Sequence, residues 1–375
     1  MLKIIRGGDV CAPEHLGIMD ILISGEQILQ ISEHIEISGI DIEIIDASGR
    51  KVIPGYFDQH VHIIGGGGED GFASLIPPVQ MTDCIRYGVT SVVGLLGTDA
   101  HAKSVESLVA RTKALREEGM SAWCLTGSYA YPTVTLTGSV GKDIAFIEEV
   151  IGVKTAISDH RSSAMDRHEL ARLATQARTA GLLAGKCGIV HMHTGRGKEG
   201  LKNVMAILEE TDIPVSQFRP THCGNQLEDA IAFGKMGGYI DFTASETAAE
   251  AMMKAAEEVD WSHITLSSDA NGSFPKWSED KKLIGMGIGK MERLHNCVKD
   301  LLKAGLPLEK AIMPLTSNTA DALNLGTKKG HLRAGADADM LFLDDYMEIT
   351  DVISRGRIAM KNGTVAVKNY YDDVQ

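Results

Sequence analysis

Pro54-Gly-Tyr-Phe-Asp-Gln-His60-Val-His62 ends an apolar, β-branched run that begins near residue 52, and the rest of the chain is read outward from it. Residues i and i+2 of a strand point to the same side, roughly 6.5–7 Å apart, so imidazoles spaced in this way can converge on one ion. A bare His-x-His says little. One that follows an apolar strand and a Pro-Gly approach places a metal-type pair at the carboxyl end of a strand.

Beyond residue 62 the chain alternates. Apolar runs recur near 90–96, 121–128, 152–157, 187–194, 213–221, 239–243 and 263–269. Amphipathic segments lie between most of them, at 103–118, 166–180, 198–210, 226–236 and 246–258. With the run at 52–62 this makes eight strands alternating with helices, which predicts an α/β fold of the (β/α)8 TIM-barrel type; a doubly wound open sheet is the alternative. Residues 1–53 and 329–375 differ from this middle, carrying short β-like runs such as Asp20-Ile-Leu-Ile-Ser and Asp339-Met-Leu-Phe-Leu between glycine turns. They predict a small β-sandwich domain built from both termini, 1–53 plus 329–375, around a catalytic barrel over 54–328. Two unrelated small sheets would fit the same pattern.

The 375 residues carry a formal charge of −13, which argues against a nucleic-acid partner and fits poorly with a membrane surface. No apolar run approaches the roughly 18 residues of a membrane span. The six cysteines are scattered with no Cys-x-x-Cys pair, which reads as reduced thiols in a cytoplasmic protein. Met1-Leu-Lys-Ile-Ile-Arg-Gly runs straight into a strand-like pattern without a signal-peptide apolar region, in keeping with that compartment.

Four further groups fall at the ends of later strands: Lys154, His193, His222 and Asp269. Each alone has an ordinary reading. The lysine would be a surface residue, the histidines would be hydrogen-bonded core residues, and the aspartate would be a helix cap. Together with His60 and His62 they occupy strands one, one, four, five, six and eight, all at the end where barrel sites gather. A lysine among cations would be repelled, so Lys154 calls for carboxylation by CO₂, giving a carbamate whose two oxygens can bridge two ions.

This order resembles the binuclear amidohydrolase superfamily, and Gly330-His-Leu-Arg-Ala-Gly-Ala-Asp-Ala-Asp-Met resembles its return into the small β domain. More narrowly, the chain resembles the isoaspartyl (β-aspartyl) dipeptidases over nearly its whole length. The resemblance is carried by Gly65-Gly-Gly-Gly-Glu69, Thr126-Gly-Ser-Tyr129, Gly152-Val-Lys154-Thr-Ala-Ile-Ser-Asp-His-Arg161 and Ser267-Ser-Asp269-Ala-Asn-Gly-Ser273. It implies a metallopeptidase acting on β-aspartyl dipeptides, with two divalent ions of the zinc type. His60, His62 and Asp269 would hold one ion, His193 and His222 the other, and carboxylated Lys154 would bridge them. A hydroxide shared by the ions would be the nucleophile. Asp269 would carry its proton to the leaving amine, and Tyr129 would stabilise the oxyanion. For the substrate, Glu69 would take the α-amine. Gly67, Thr98 and Ser273 would hold the α-carboxylate, and Arg161 would clamp the terminal carboxylate. A homo-oligomer and a role in disposing of isoaspartyl peptides are implied by the same resemblance.

The chain departs from that pattern twice. The family places a second arginine just after the strand-six histidine, where this chain reads His222-Cys-Gly-Asn225-Gln. That predicts looser selection for a free terminal carboxylate unless Arg196 or Arg219 compensates. His191 also creates a second His-x-His with His193; the Thr-Gly that follows favours His193 as the ligand. The competing readings are a cyclic-amide hydrolase of the dihydropyrimidinase or hydantoinase kind, and a metal-free structural relative. Glu69 and its glycines oppose the first, since a neutral ring has no amine for that carboxylate. The full ligand set opposes the second. Single-metal deaminases lack the strand-four lysine.

Overall fold

The apolar run near 52–62 is two strands in two different sheets. Gly55 separates them at a point where a Cβ would lie 2.3 Å from Thr90 Oγ1, so only glycine lets the chain pass without displacing that side chain. The computed structural model describes residues 2–370 and 372. Residue 1 and residues 371 and 373–375, at the extremes of the expected terminal domain, lie outside them.

From Tyr56 strands and helices alternate as far as Ser267, and a short hairpin of Lys276–Trp277 and Leu283–Gly285 precedes the eighth helix. The alternating elements are β1 (Tyr56–Val61), α1 (Met81–Arg86), β2 (Val89–Gly94), α2 (Val105–Glu118), β3 (Ser121–Gly127), α3 (Val140–Phe146), β4 (Val150–Ile157) and α4 (Arg167–Ala184). The second half continues with β5 (Ile189–Thr194), α5 (Lys202–Glu210), β6 (Phe218–Thr221), α6 (Leu227–Lys235), β7 (Ile240–Thr243), α7 (Ala248–Ala255), β8 (Ile264–Ser267) and α8 (Glu292–Lys303). Strands β1 to β6 pair in chain order as one parallel sheet, and β7 pairs with β8. The ring closes where Val61 bridges Ala270 in parallel and His62 N–H donates to the Ala270 carbonyl at 2.9 Å. Between β6 and β7, Thr221 Oγ1 donates to Asp241 Oδ2 at 2.6 Å. The strands thus form a closed barrel, and the open-sheet alternative falls away.

Strand β5 shows how sequence sets the layers. Val190 and Met192 point outward into the core between strands and helices. Ile189 points inward and joins Phe57, Val93, Leu125, Ile151 and Leu323 in an apolar floor. The strand period of two puts His191 and His193 on the inward side, above that floor. Helix α4 begins with a reciprocal cap: Glu169 N–H donates to Asp166, and Asp166 N–H donates to Glu169, each at 2.9 Å. Such a cap contributes about 1 kcal/mol. Leu170, Leu173, Ala174 and Ala177 make its buried face.

The two chain ends build one nine-stranded sheet. Lys51–Pro54 runs antiparallel to Met340–Leu343 and parallel to the segment around Asp9 and Val10. Phe342 belongs to the sheet's own core with Ile5, Val10, Ile21 and Val52. Leu341 and Leu343 face the other way, into the core shared with the barrel. Each such apolar side chain contributes about 1.5–3 kcal/mol when fully buried, so the sheet is held both to itself and to the barrel. Among the described residues, no helix is long and apolar enough to cross a membrane.

Candidate metal centre and active site

His60 ends inside β1 and His62 just beyond it, with ring centroids 5.8 Å apart. His60 Nε2 lies 3.4 Å from Asp269 Oδ1, and His62 Nε2 lies 3.2 Å from the same oxygen. His222 Nε2 approaches Asp269 Oδ2 at 4.0 Å. Donor atoms of His60, His222 and Asp269 all fall within 4.8 Å of one another, a spacing that could hold an ion. His193 stacks edge-on to His222, with centroids 4.6 Å apart. Lys154 points into the same space, its Nζ 3.5 Å from His60 Nε2. The six residues expected from strand ends are therefore brought together at the carboxyl mouth of the barrel.

Two of them are held in unusual backbone. His222 has φ 61° and Asp269 has φ 52°, both in the left-handed region that side chains other than glycine rarely adopt. Such conformations collect at functional sites, where the surrounding structure imposes them. Lys154 is fully buried, and among the described residues it has no ion pair. Burial pushes its ammonium down to about 7, against smaller opposing effects of Asp269 and Asp241. Burial would raise the Asp269 carboxyl, but the close approach of His62 and the charges around it hold it below the usual range. Asp269 Oδ1, which faces the Nε2 atoms of His60 and His62, is buried without a well-formed hydrogen bond. Converging imidazoles and a buried carboxylate oxygen lacking a partner are what a divalent cation satisfies.

Behind this cluster lies a supporting layer that sequence reasoning missed in part. His191 is not among the converging donors; its Nε2 sits 2.8 Å from His60 Nδ1, on the far side of that ring. Thr243 Oγ1 lies 2.5 Å from His222 Nδ1. Asp159 Oδ2 lies 2.9 Å from His193 Nε2, and the same carboxylate accepts from Arg161 Nε and Nη2 at 3.0 and 2.9 Å. Burial would raise Asp159, yet His193 and Arg161 hold it well below the usual carboxylate range. Asp241 gathers Gln59, Thr221, Thr265 and Ser267 beneath the site, and Ser268 ties β8 to Asp58. The sequence offered one signal for this layer, the doubled His-x-His at 191 and 193.

The expected substrate residues form a second cluster, on the loops after β1 to β4 and, for Ser273, after β8. Glu69 Oε1 accepts from Ser273 Oγ at 2.7 Å, Arg161 Nη1 at 3.1 Å and Thr98 Oγ1 at 3.2 Å, while Oε2 is buried with no partner. Gly67 has φ 88°, and a Cβ there would lie 2.6 Å from the Ser74 carbonyl, so the loop requires glycine. Tyr129 OH lies 2.5 Å from His193 Nδ1, and the Arg161 guanidinium sits 5.6 Å from the centre of the Tyr129 ring. Burial raises the Tyr129 phenol well above its usual range, so it stays protonated.

Both clusters open into cavities. One of about 450 Å³ is lined by Gly67, Glu69, Thr98, Tyr129, Arg161 and Trp277. A larger one of about 1460 Å³ reaches from His62, His193, His222 and Asp269 outward past Asn225 and Trp277. Arg196 Nε donates to Asn225 Oδ1 at 3.0 Å in its wall. Arg219 lies elsewhere: fully buried, it donates to the Ala322 carbonyl at 2.7 Å and sits 4.4 Å from the centre of the Tyr239 ring. Of the two arginines considered as replacements for the missing one, only Arg196 borders the site.

Residues 51–359 match the amidohydrolase family. A β-aspartyl dipeptidase from Fervidobacterium islandicum AW-1, solved in complex with a β-Asp-Leu dipeptide, is 39% identical over 99% of this chain and 100% of its own, with a TM-score of 0.94. A D-hydantoinase from a Thermus species is 17% identical over 98% of this chain and 97% of its own, with a TM-score of 0.68, a likeness of fold alone. A dihydroorotase from Staphylococcus epidermidis is 43% identical over 68 residues, which is 18% of this chain and 16% of that relative. The chain thus aligns with 16% to 37% of the length of the dihydroorotases it matches, but with the whole of the dipeptidase.

Proposed function

The chain belongs to the amidohydrolase family, and on that premise we propose that it hydrolyses the β-aspartyl (isoaspartyl) amide bond of dipeptides. The observation that carries this reading is Glu69. Its carboxylate is anchored on one oxygen by Ser273, Arg161 and Thr98 and leaves the other buried and unpartnered. A buried carboxylate oxygen of this kind calls for a cation, and an isoaspartyl residue brings a free α-ammonium. A neutral cyclic amide brings none.

His60, His62 and Asp269 would hold one ion, and His193 and His222 the other, with Lys154 between them as its carbamate. Formation of that carbamate joins Nζ to the carbon of CO₂ with loss of a proton, which needs the neutral amine that burial favours at Lys154. Ions held there, zinc in this reading, would supply polarisation of the amide carbonyl and a lowered pKa of water. The protein's own groups do the rest. Asp269 accepts a proton at its carboxylate and delivers it to the departing amine. Tyr129 donates its phenol hydrogen to the carbonyl oxygen as charge builds there. Arg161 offers a fork to the dipeptide's terminal carboxylate. Backbone N–H groups at Gly67 receive the α-carboxylate, while the Thr98 and Ser273 hydroxyls keep their hydrogens on Glu69. An α-linked aspartyl peptide has no free α-carboxylate, so the arrangement selects the β linkage.

Residues 54–328 form the catalytic unit in this reading, supported by 1–53 and 329–375. A cytoplasmic location fits the six free cysteines, and a homo-oligomer belongs to the same family reading. Hydrolysis of β-Asp-Leu and α-Asp-Leu by protein reconstituted with zinc and bicarbonate tests the proposal. Cleavage of the β-linked peptide alone is expected. No cleavage with two ions bound per chain would overturn the substrate assignment.

A further inference from the structure

The larger cavity, at about 1460 Å³, exceeds the roughly 300–1,000 Å³ that suits a drug-sized ligand. A β-aspartyl dipeptide is smaller than most such ligands, so the cavity holds room beyond it. Its outer wall comes from the second half of the barrel. Arg196 and Lys198 follow β5, Lys254 lies on α7, Lys276 and Lys281 belong to the segment after β8, and Arg293 lies on α8. All six are exposed. Among the described residues none of them is in an ion pair, and Arg196 is hydrogen-bonded to the neutral Asn225. The exposed carboxylates on the same wall are Glu199 and Glu250.

This excess of cations runs against the whole chain, whose 50 acidic residues outnumber its 37 basic ones. In an acidic protein, unpaired cations concentrated at one opening focus a local field of opposite sign and draw anions to it. The two halves of the mouth also differ in kind. Arg161 is fixed by Asp159 and Glu69 for a group of constant position. Lysines on long stems reach carboxylates at varied positions as point charges.

We infer that the outer half of the site receives an acidic leaving part: isoaspartyl peptides in which the residue after the isoaspartate carries a side-chain carboxylate. The inference rests on the β-aspartyl reading and names its substrate class. The test compares β-Asp-Glu with β-Asp-Gln, which differ in charge and hardly in size, using the zinc-reconstituted full chain at low and high salt. At low salt kcat/KM is expected to favour β-Asp-Glu by about fivefold, the difference lying in KM and shrinking at high salt. Joint replacement of Lys198→Met and Lys254→Met is expected to bring the two peptides close to parity. Equal values for the two peptides, or a preference that responds to neither salt nor the double replacement, overturns the inference and leaves the β-aspartyl reading intact. Cleavage of neither peptide by protein holding its metals overturns that reading and the inference with it.

Discussion

The two sides of the barrel mouth are built on opposite principles. On the side of β1 to β4, Glu69, Thr98, Arg161 and Asp159 are locked to one another by hydrogen bonds of 2.9–3.2 Å. On the side of β5 to β8, the cations of the cavity wall are exposed and, among the described residues, without ion pairs. A pre-organised cluster recognises one chemical group at one place. A loose array of charges adjusts to a variable one. The contrast matches a substrate whose aspartyl half and terminal carboxylate are constant and whose leaving side chain changes.

Substitutions can break or sharpen this contrast, and their effects should fall in a definite order. Glu69→Gln keeps size but removes the charge at the centre of the locked side. It should lower kcat/KM for β-Asp-Leu by about 100- to 1,000-fold. A change of less than about threefold would remove Glu69 from substrate recognition. His191→Phe leaves both sides of the mouth alone and frees the ring of His60 from its partner. Affinity for zinc, measured by competition with a chromogenic chelator, should fall by about 10- to 100-fold. Unaltered affinity would make His191 a packing residue only.

Arg161→Lys retains the charge but loses the fork, and should raise KM by about tenfold with little change in kcat. Ser273→Ala removes one of three donors on Glu69 and should cost about three- to tenfold in kcat/KM. The smallest effect belongs to the loose side: Asn225→Arg adds a second guanidinium beside Arg196 and should lower KM for β-Asp-Leu by about threefold. An unchanged KM would mean that the free terminal carboxylate is held by Arg161 alone.

Much of this architecture was legible before the structure, for a physical reason. Eight apolar, β-branched runs alternate with amphipathic segments, and a strand buried on both faces leaves that trace wherever it sits in the chain. His60, His62, Lys154, His193, His222 and Asp269 were legible because each closes such a run. What escaped were contacts with no local pattern. Asp159 reads as a loop acid, yet it joins His193 to Arg161. Thr243 reads as an ordinary strand residue, and its partner His222 lies just past the end of the neighbouring strand. The left-handed backbone of His222 and Asp269 is imposed by packing and leaves no trace in residue type. The chain ends allowed a sandwich built from both termini or two unrelated small sheets. Pairing of Lys51–Pro54 with Met340–Leu343 joins the two ends, and such a long-range register is not written in either segment alone.

That same pairing has a bearing on how the protein is made. The strand that leads into β1 meets residues 9 and 10 on one edge but finds its other partner only in residues 340–343, and β1 itself closes the ring against Ala270. On the ribosome, His60 and His62 emerge early, while Asp269 and the anchoring strands are among the later segments. A nascent chain that met an ion too soon could offer it two imidazoles but neither the enclosing carboxylate nor a closed barrel. On the proposed reading metal acquisition belongs to the finished polypeptide, and synthesis with metal withheld should yield an apoprotein that can still be charged afterwards.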